Sequence, residues 1–170
     1  MLETERLILR RLEARDLEKW QAFFLSERGA AIGGGATKDE GLGWRAFANL
    51  LGHWEINGCG LFAVVHARSG EAIGAIGPWY PAGWPEREIG WNIWSAEHEG
   101  QGYAAEATLK VREHVVSQLG WKTAVSYIAP DNARSIALAR RLGCVVDATA
   151  PTPRNVSALV FRHPLNTAAT

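Results

Sequence analysis

Two glycines, Gly100 and Gly102, stand where a loop turns into a helix, in the run Gly100-Gln101-Gly102-Tyr103-Ala104-Ala105. Glycine has no Cβ, so the backbone N–H groups of such a junction approach a ligand closely, and the helix N-terminus adds roughly half a positive charge. Phosphate oxygens suit that arrangement. The same glycines also suit a tight turn that only packs closely, and the local pattern leaves both readings open. Read literally, GQGYAA matches the dinucleotide fingerprint GxGxxA. Three features argue against a hydride-transfer cofactor. Five residues, Ser95 to Glu99, separate the preceding strand from Gly100; that strand ends a meander rather than opening a βαβ unit; and Lys122 to Ser126 holds no acidic ribose ligand.

Other chemistry-bearing residues are sparser. Glu88, Gly90, Asn92 and Trp94 share one face of the alternating segment Glu86 to Trp94 by period two. Cys59 and Cys144 are far apart, with no CxxC or clustered Cys/His spacing, so buried thiols are expected rather than a metal site or disulfide. His98 lies in a loop and is expected to face solvent, while His53 and His66 read as structural.

The elements that must position these residues follow from periodicity. Thr4 to Leu12 alternates apolar and charged residues as a half-buried strand does. Asp16 to Leu25 is predicted helical, and Ser26 to Gly43, with six glycines including Gly33-Gly34-Gly35, reads as a mobile loop bordering a site. A second helix is expected over Leu42 to His53, then strands over Gly60 to Ala67, Ala72 to Ile76 and Glu86 to Trp94. Their short connections imply an antiparallel meander. Helices over Gln101 to Leu119 and Asn132 to Leu142 then alternate with strands over Lys122 to Ala129, Cys144 to Ala148 and Asn155 to Arg162. The order β-α-α-β-β-β-α-β-α-β-β predicts an α+β fold.

At 170 residues and 47% hydrophobic, the chain fits one domain, residues 1–170. Eighteen basic and eighteen acidic residues cancel, so no general basic field favours nucleic acid. No apolar run reaches the ~18 residues of a membrane span, and the start, Met-Leu-Glu-Thr-Glu-Arg, is too charged for a signal peptide. A soluble, cytoplasmic protein is expected, with neither membrane nor nucleic acid as partner. Eight tryptophans are unusual for this length, and six fall between Trp44 and Trp94.

The segments GWPEREIGW, GQGYAAEA and SYIAPDNARSIALARRLG, in that order, resemble the acetyl-CoA signature of the GNAT N-acetyltransferases, and more closely its RimJ/RimL-like branch. The resemblance runs from LETERLILR to Val146. It implies a mixed, mostly antiparallel sheet of six to seven strands with helices on both faces, splayed between the fourth and fifth strands. It implies acetyl-CoA as co-substrate, no metal, and a small-molecule amine or protein N-terminus as acceptor. Whether the chain forms a homodimer is left open.

Carried over by residue, the resemblance places the pyrophosphate on the amides of Gly100, Gln101, Gly102, Tyr103, Ala104 and Ala105. Glu99 stands where many members have Gln or Arg, and its side chain is expected to turn away. The pantetheine arm is expected along Ile93, Trp94 and Ser95, with a backbone N–H near Trp94 meeting the thioester oxygen, and Asn132 and Ser135 nearby. Glu88 is the expected base. Where many members carry Tyr seven residues after the motif Asn, this chain has Ala139, which leaves Tyr103, Tyr127, Ser135 or water to protonate the thiolate; Tyr127 is taken with Glu88 as the catalytic pair. Trp44, Trp79, Trp84 and Asn92 are the expected acceptor contacts. A non-catalytic acyl-CoA-binding or regulatory domain on the same fold is the alternative.

Overall fold

The computed structural model describes residues 1–32 and 39–165. Its strands are β1 (Leu2–Glu3), β2 (Leu7–Arg11), β3 (Phe62–His66), β4 (Ala72–Trp79), β5 (Glu88–Ile93), β6 (Val125–Ile128), β7 (Val145–Val146) and β8 (Leu159–Arg162). The helices are α1 (Leu17–Phe24), α2 (Glu40–Asn57), α3 (Tyr103–Ser117) and α4 (Ala133–Arg141), with 3-10 turns at Ala14–Asp16, Glu27–Ile32 and Ala96–His98. One sheet runs β1-β2-β3-β4-β5-β6-β8-β7. Every pairing is antiparallel except β5 with β6.

The expected α+β architecture is present, with eight strands instead of six or seven. The extra strand arises because Thr4 breaks the first segment. Its hydroxyl accepts the Leu7 N–H at 3.0 Å, turning Leu2–Glu3 back onto β2. The last two strands are shorter than predicted. The Asp147 carboxylate accepts the N–H groups of Thr149 and Ala150 and so ends β7 in an Asx turn, while Asn155 adopts a φ of 64° ahead of β8. In contrast, β4 continues past the predicted stop through Pro78. That proline faces away from β5 beyond the end of the β3 ladder, where no N–H is required. Helix α2 also exceeds its prediction, from the Asp39 cap that accepts the Leu42 N–H to Gly58 in the left-handed region. Part of the expected loop, Glu27–Ile32, is a 3-10 turn, and Gly33-Gly34-Gly35 lie outside the described residues.

Alternation along the strands sorts two cores. Leu7, Leu9, Phe62, Val64 and Ile89 meet Val111 and Val115 of α3. On the opposite face, Ala63, Val65 and Ala75 meet Trp20 and Phe24 of α1 and Phe47 and Leu50 of α2. Each fully buried aliphatic or Phe side chain contributes roughly 1.5–3 kcal/mol. Helix α4 packs Ala139 against Ile128 and Phe161.

The feature that positions the site is the junction of β5 and β6. Their parallel ladder is one pair long, Glu88 with Val125, where the Val125 N–H donates to Arg87 O at 2.9 Å. One residue on, the Ser126 hydroxyl donates to Ile89 O at 2.6 Å, so a side chain stands where a backbone donor would be. Past it the strands part.

Candidate active site

The parting strands leave one edge of β5 open. Trp94 N–H donates to Ile73 O of β4 at 2.8 Å, and Ile89 O faces β6. Backbone groups alternate sides along a strand, so Trp91 and Ile93 N–H point to the side from which β6 has withdrawn. The Trp94 N–H is itself committed to the sheet. The donors open to a ligand are those of Trp91 and Ile93.

A cleft of about 890 Å³ lies along this edge. Asn92, Ile93, Glu99, Gly100, Gly102, Tyr103, Ala104, Ala105, Asn132 and Ser135 line it, so the structure gathers ten of the expected residues. Gly100 and Gly102 have φ of 72° and 84°, the left-handed values that favour glycine. A Gly102→Ala substitution is expected to cost about 1–2 kcal/mol in backbone strain; thermal unfolding should show a Tm lowered by roughly 2–8 °C. Asn132 caps α4, its Oδ1 accepting the Ser135 N–H at 3.1 Å, and the Ser135 hydroxyl accepts Trp91 Nε1 at 3.2 Å, tying the helix to β5 across the gap.

Other expected residues lie outside the cleft lining. Ser95 Oγ is engaged with His98 Nδ1 at 2.6 Å, and Gln101 Nε2 donates to Glu97 O, so both side chains serve the loop. His98, expected in solvent, is 14% exposed and lines the cleft because that bond turns it inward.

Glu99 does not turn away. Its two oxygens pair with Arg28, from the 3-10 turn after α1, and with Arg134 of α4, so the carboxylate sits between two cations. Arg28 also donates to Trp94 O at 2.7 Å and to Ile93 O at 2.9 Å, capping the carbonyls at the end of the open edge. No local pattern in the sequence marks Arg28, because its partners lie more than sixty positions away.

Glu88 and Tyr127 lie on one sheet face where β5 and β6 still pair, and neither is among the residues that line the cleft. Burial pushes the Glu88 carboxyl up to about 7, although Trp84 Nε1 donates to Oε2 at 2.6 Å and the Tyr127 backbone N–H also favours the anion. Burial, reinforced by the charge of Glu86, pushes the Tyr127 phenol up to about 12. Its hydroxyl is buried.

Residues 6–145 match the family described as Acetyltransferase (GNAT) domain. The chain belongs to the GNAT acetyltransferase family. It is 37% identical to the acetyltransferase from Agrobacterium tumefaciens, whose crystal structure aligns over 95% of this chain and 92% of that one with a TM-score of 0.86. The GNAT-family acetyltransferase from Bacillus anthracis is 20% identical over 95% of both chains, with a TM-score of 0.71. Spermidine N-acetyltransferase from Vibrio cholerae, solved with CoA and spermine, is 18% identical over 94% of both chains, with a TM-score of 0.68. These last two are likenesses of fold. No curated protein sequence matches the chain.

Family membership makes this chain an acyltransferase. Within the GNAT domain, the three tryptophans expected at the acceptor stand apart from the cleft lining. Trp44 is 57% exposed on α2, Trp79 stacks on His53 with ring centroids 4.4 Å apart, and Trp84 is occupied by Glu88. Ala139 faces the core below α4, so position 139 presents no group to the cleft. Among the described residues no helix is long and apolar enough to cross a membrane, and no cluster of three or more His, Cys, Asp or Glu is placed to hold a metal ion.

Proposed function

We propose that this GNAT acyltransferase is a cytoplasmic, RimJ/RimL-like N-acetyltransferase that moves an acetyl group from acetyl-CoA to a primary amine, a protein N-terminus or a small amine, by direct transfer in a ternary complex. One observation carries the reading. The cleft runs from the glycine loop at Gly100 to Ala105 to the open β5 edge at Trp91, Asn92 and Ile93, three residues along the strand from Glu88. An extended donor fits with its phosphates on the helix N-terminus and its pantetheine amides on Trp91 and Ile93, as an added strand. Its thioester then lies near Trp91, on the side of the β5–β6 junction.

The chain's groups supply the proton chemistry there. A free amine of pKa ~8–10 is mostly protonated at neutral pH, and Glu88, tuned near 7, takes its proton directly or through water. A free β5 N–H, Trp91 being nearer the junction, meets the oxygen that gains charge as nitrogen attacks the carbonyl. Tyr127, the acid expected from the sequence, has its hydroxyl buried and does not line the cleft, so water protonates the departing thiolate. The arginines beside Glu99 turn an ill-suited carboxylate into a site with one net positive charge. Phe23, Ala30 and Ile32 line the cleft from the α1 side, and with Asn92, oriented by Trp94 Nε1 at 2.8 Å, they form the wall for the acceptor. Spermine in the Vibrio cholerae structure supports an amine in that role.

Thiol release from acetyl-CoA across a panel of amines and N-terminal peptides tests the proposal. Turnover on any of them supports it. Tight CoA binding with no turnover on any acceptor favours the acyl-CoA-binding alternative, and binding of NADH but not acetyl-CoA overturns both.

A further inference from the structure

The N-terminal run Thr4-Glu5-Arg6 has a role that neither the alternating strand pattern nor the cleft lining accounts for. Arg6 reaches from the turn before β2 to the loop that opens α3. Its Nη1 donates to Gln101 O at 3.0 Å, its Nε donates to Glu106 Oε2 at 2.7 Å, and its guanidinium lies 4.6 Å from the centroid of the Tyr103 ring. Glu106, in the first turn of α3, is fastened to the same run twice more. Thr4 Oγ1 donates to its Oε1 at 2.6 Å, and Arg6 N–H donates there at 3.0 Å. The glycine loop is therefore stapled from behind.

The consequence follows from peptide geometry. In a trans peptide the C=O of one residue and the N–H of the next point in opposite directions, and there is no cis bond among the described residues. Arg6 holds Gln101 O on the outer side of the loop, so the Gly102 N–H is turned to the inner side, and Gly102 lines the cleft. Gly102 tolerates that orientation at φ 84°. Rotation of this one peptide plane would remove the donor from the cleft without moving the helix. The Glu106 carboxylate fixes the guanidinium, and the aromatic face beneath it limits where the guanidinium can go.

We propose that Arg6, anchored by Glu106 and Thr4, is a positioning residue that sets the 101–102 peptide so that the Gly102 amide faces the pyrophosphate of the acyl donor. This rests on the acetyl-CoA reading above. It assigns to the phosphate half of the site a residue about a hundred positions away in sequence. It also separates that half from the pantetheine half, which Arg6 does not touch.

Two ligands distinguish a positioning role from general support of the fold. CoA carries the pyrophosphate and pantetheine lacks it. Affinity of the wild-type protein and of Arg6→Gln and Glu106→Gln is measured by calorimetry for CoA and by ligand-observed NMR for pantetheine, with Tm recorded for each. The expected result is a CoA Kd about ten-fold weaker in both variants, equivalent to ~1.4 kcal/mol, with pantetheine changed less than two-fold. Equal losses for both ligands would mean that Arg6 merely supports the cleft and would overturn the proposal, as would no loss for either. Should Arg6→Gln fail to fold, Arg6→Lys keeps the charge but loses the fork that spans Glu106 and Gln101 O, and the same selective loss is expected of it. A wild-type protein that binds pantetheine but not CoA would overturn this inference while leaving the strand-edge site standing. Binding of neither would overturn the donor reading itself.

Discussion

Glu88→Gln is expected to lower turnover by roughly ten- to a thousand-fold with any amine acceptor, the range typical of losing a general base. The pH profile is the sharper readout. With its carboxyl at about 7, Glu88 becomes a competent base as pH rises through neutrality, so the wild-type rate should climb across that interval. The variant should lose that inflection and climb only at higher pH, as the amine deprotonates unaided. A variant whose profile overlays the wild type would remove Glu88 from the chemistry. The same buried carboxyl predicts a stability effect of opposite sign. Its folded value lies above the ordinary 4.5, so its contribution to stability is full below about 4.5 and lost as pH rises through 7. Above pH 7 the wild type carries a buried anion at a cost on the order of 3 kcal/mol, and Gln does not. Thermal unfolding should therefore show Glu88→Gln more stable than wild type at pH 8, with the difference shrinking toward pH 5. Loss of activity with a gain of stability would set Glu88 apart from a residue that only packs.

The second large effect concerns stability alone. Arg112 of α3 is buried and donates to His163 Nδ1 at 2.8 Å, to Leu142 O at 2.7 Å and to Cys144 Sγ at 3.0 Å. Arginine only donates, so His163 Nδ1 accepts. Burial and the Arg112 charge hold that imidazole down to about 3, so it is neutral with its proton on Nε2. His163 Nε2–H donates to Ser126 Oγ at 2.8 Å, which leaves the Ser126 hydroxyl proton for Ile89 O. Proton directions are forced from Arg112 to the β5 carbonyl at the point where the strands part. Arg112→Ala removes the head of this relay and leaves a cavity, an unsatisfied imidazole nitrogen and an unsatisfied helix-end carbonyl. Together these should cost about 3–5 kcal/mol, seen as a Tm lowered by roughly 6–20 °C. A shift below about 3 °C would show that water enters and satisfies the site.

Glu99 takes its role from residues distant in the chain. As a residue type, a carboxylate at the mouth of a phosphate site looked like a misfit that must turn outward. In the fold it is the shared partner of Arg28 and Arg134, which arrive from opposite sides of the cleft. The Trp94 amide is a second instance. The resemblance implies a donor near Trp94 without saying which; the register of β4 on β5, Gly74 opposite Ile93, sends the Trp94 N–H into the sheet and leaves that of Ile93 on the other side. The tryptophans are a third. Trp44, Trp79 and Trp84 are expected at the acceptor, whereas Trp44 sits on the surface, Trp79 on His53 and Trp84 on Glu88.

By itself the sequence determined the features that a short window of residues encodes. These are the alternation that makes the meander, the three-to-four spacing of α1 to α4, the glycines that let a loop open α3 with exposed amides, and the Asn132 cap of α4. Each depends on backbone conformation and on partners a few residues away. Only the tertiary structure decided which β5 amides are free, because that depends on registry with β4 and on the single pair after which β6 leaves. It also decided that Arg6 reaches the Gly102 loop, that Arg28 caps the open edge, and that burial raises Glu88 toward neutrality. The two arginines meet partners 65 to 100 positions away, and Glu88 is raised by the water that its packed surroundings exclude. Neither distance nor dielectric is written in neighbouring residues.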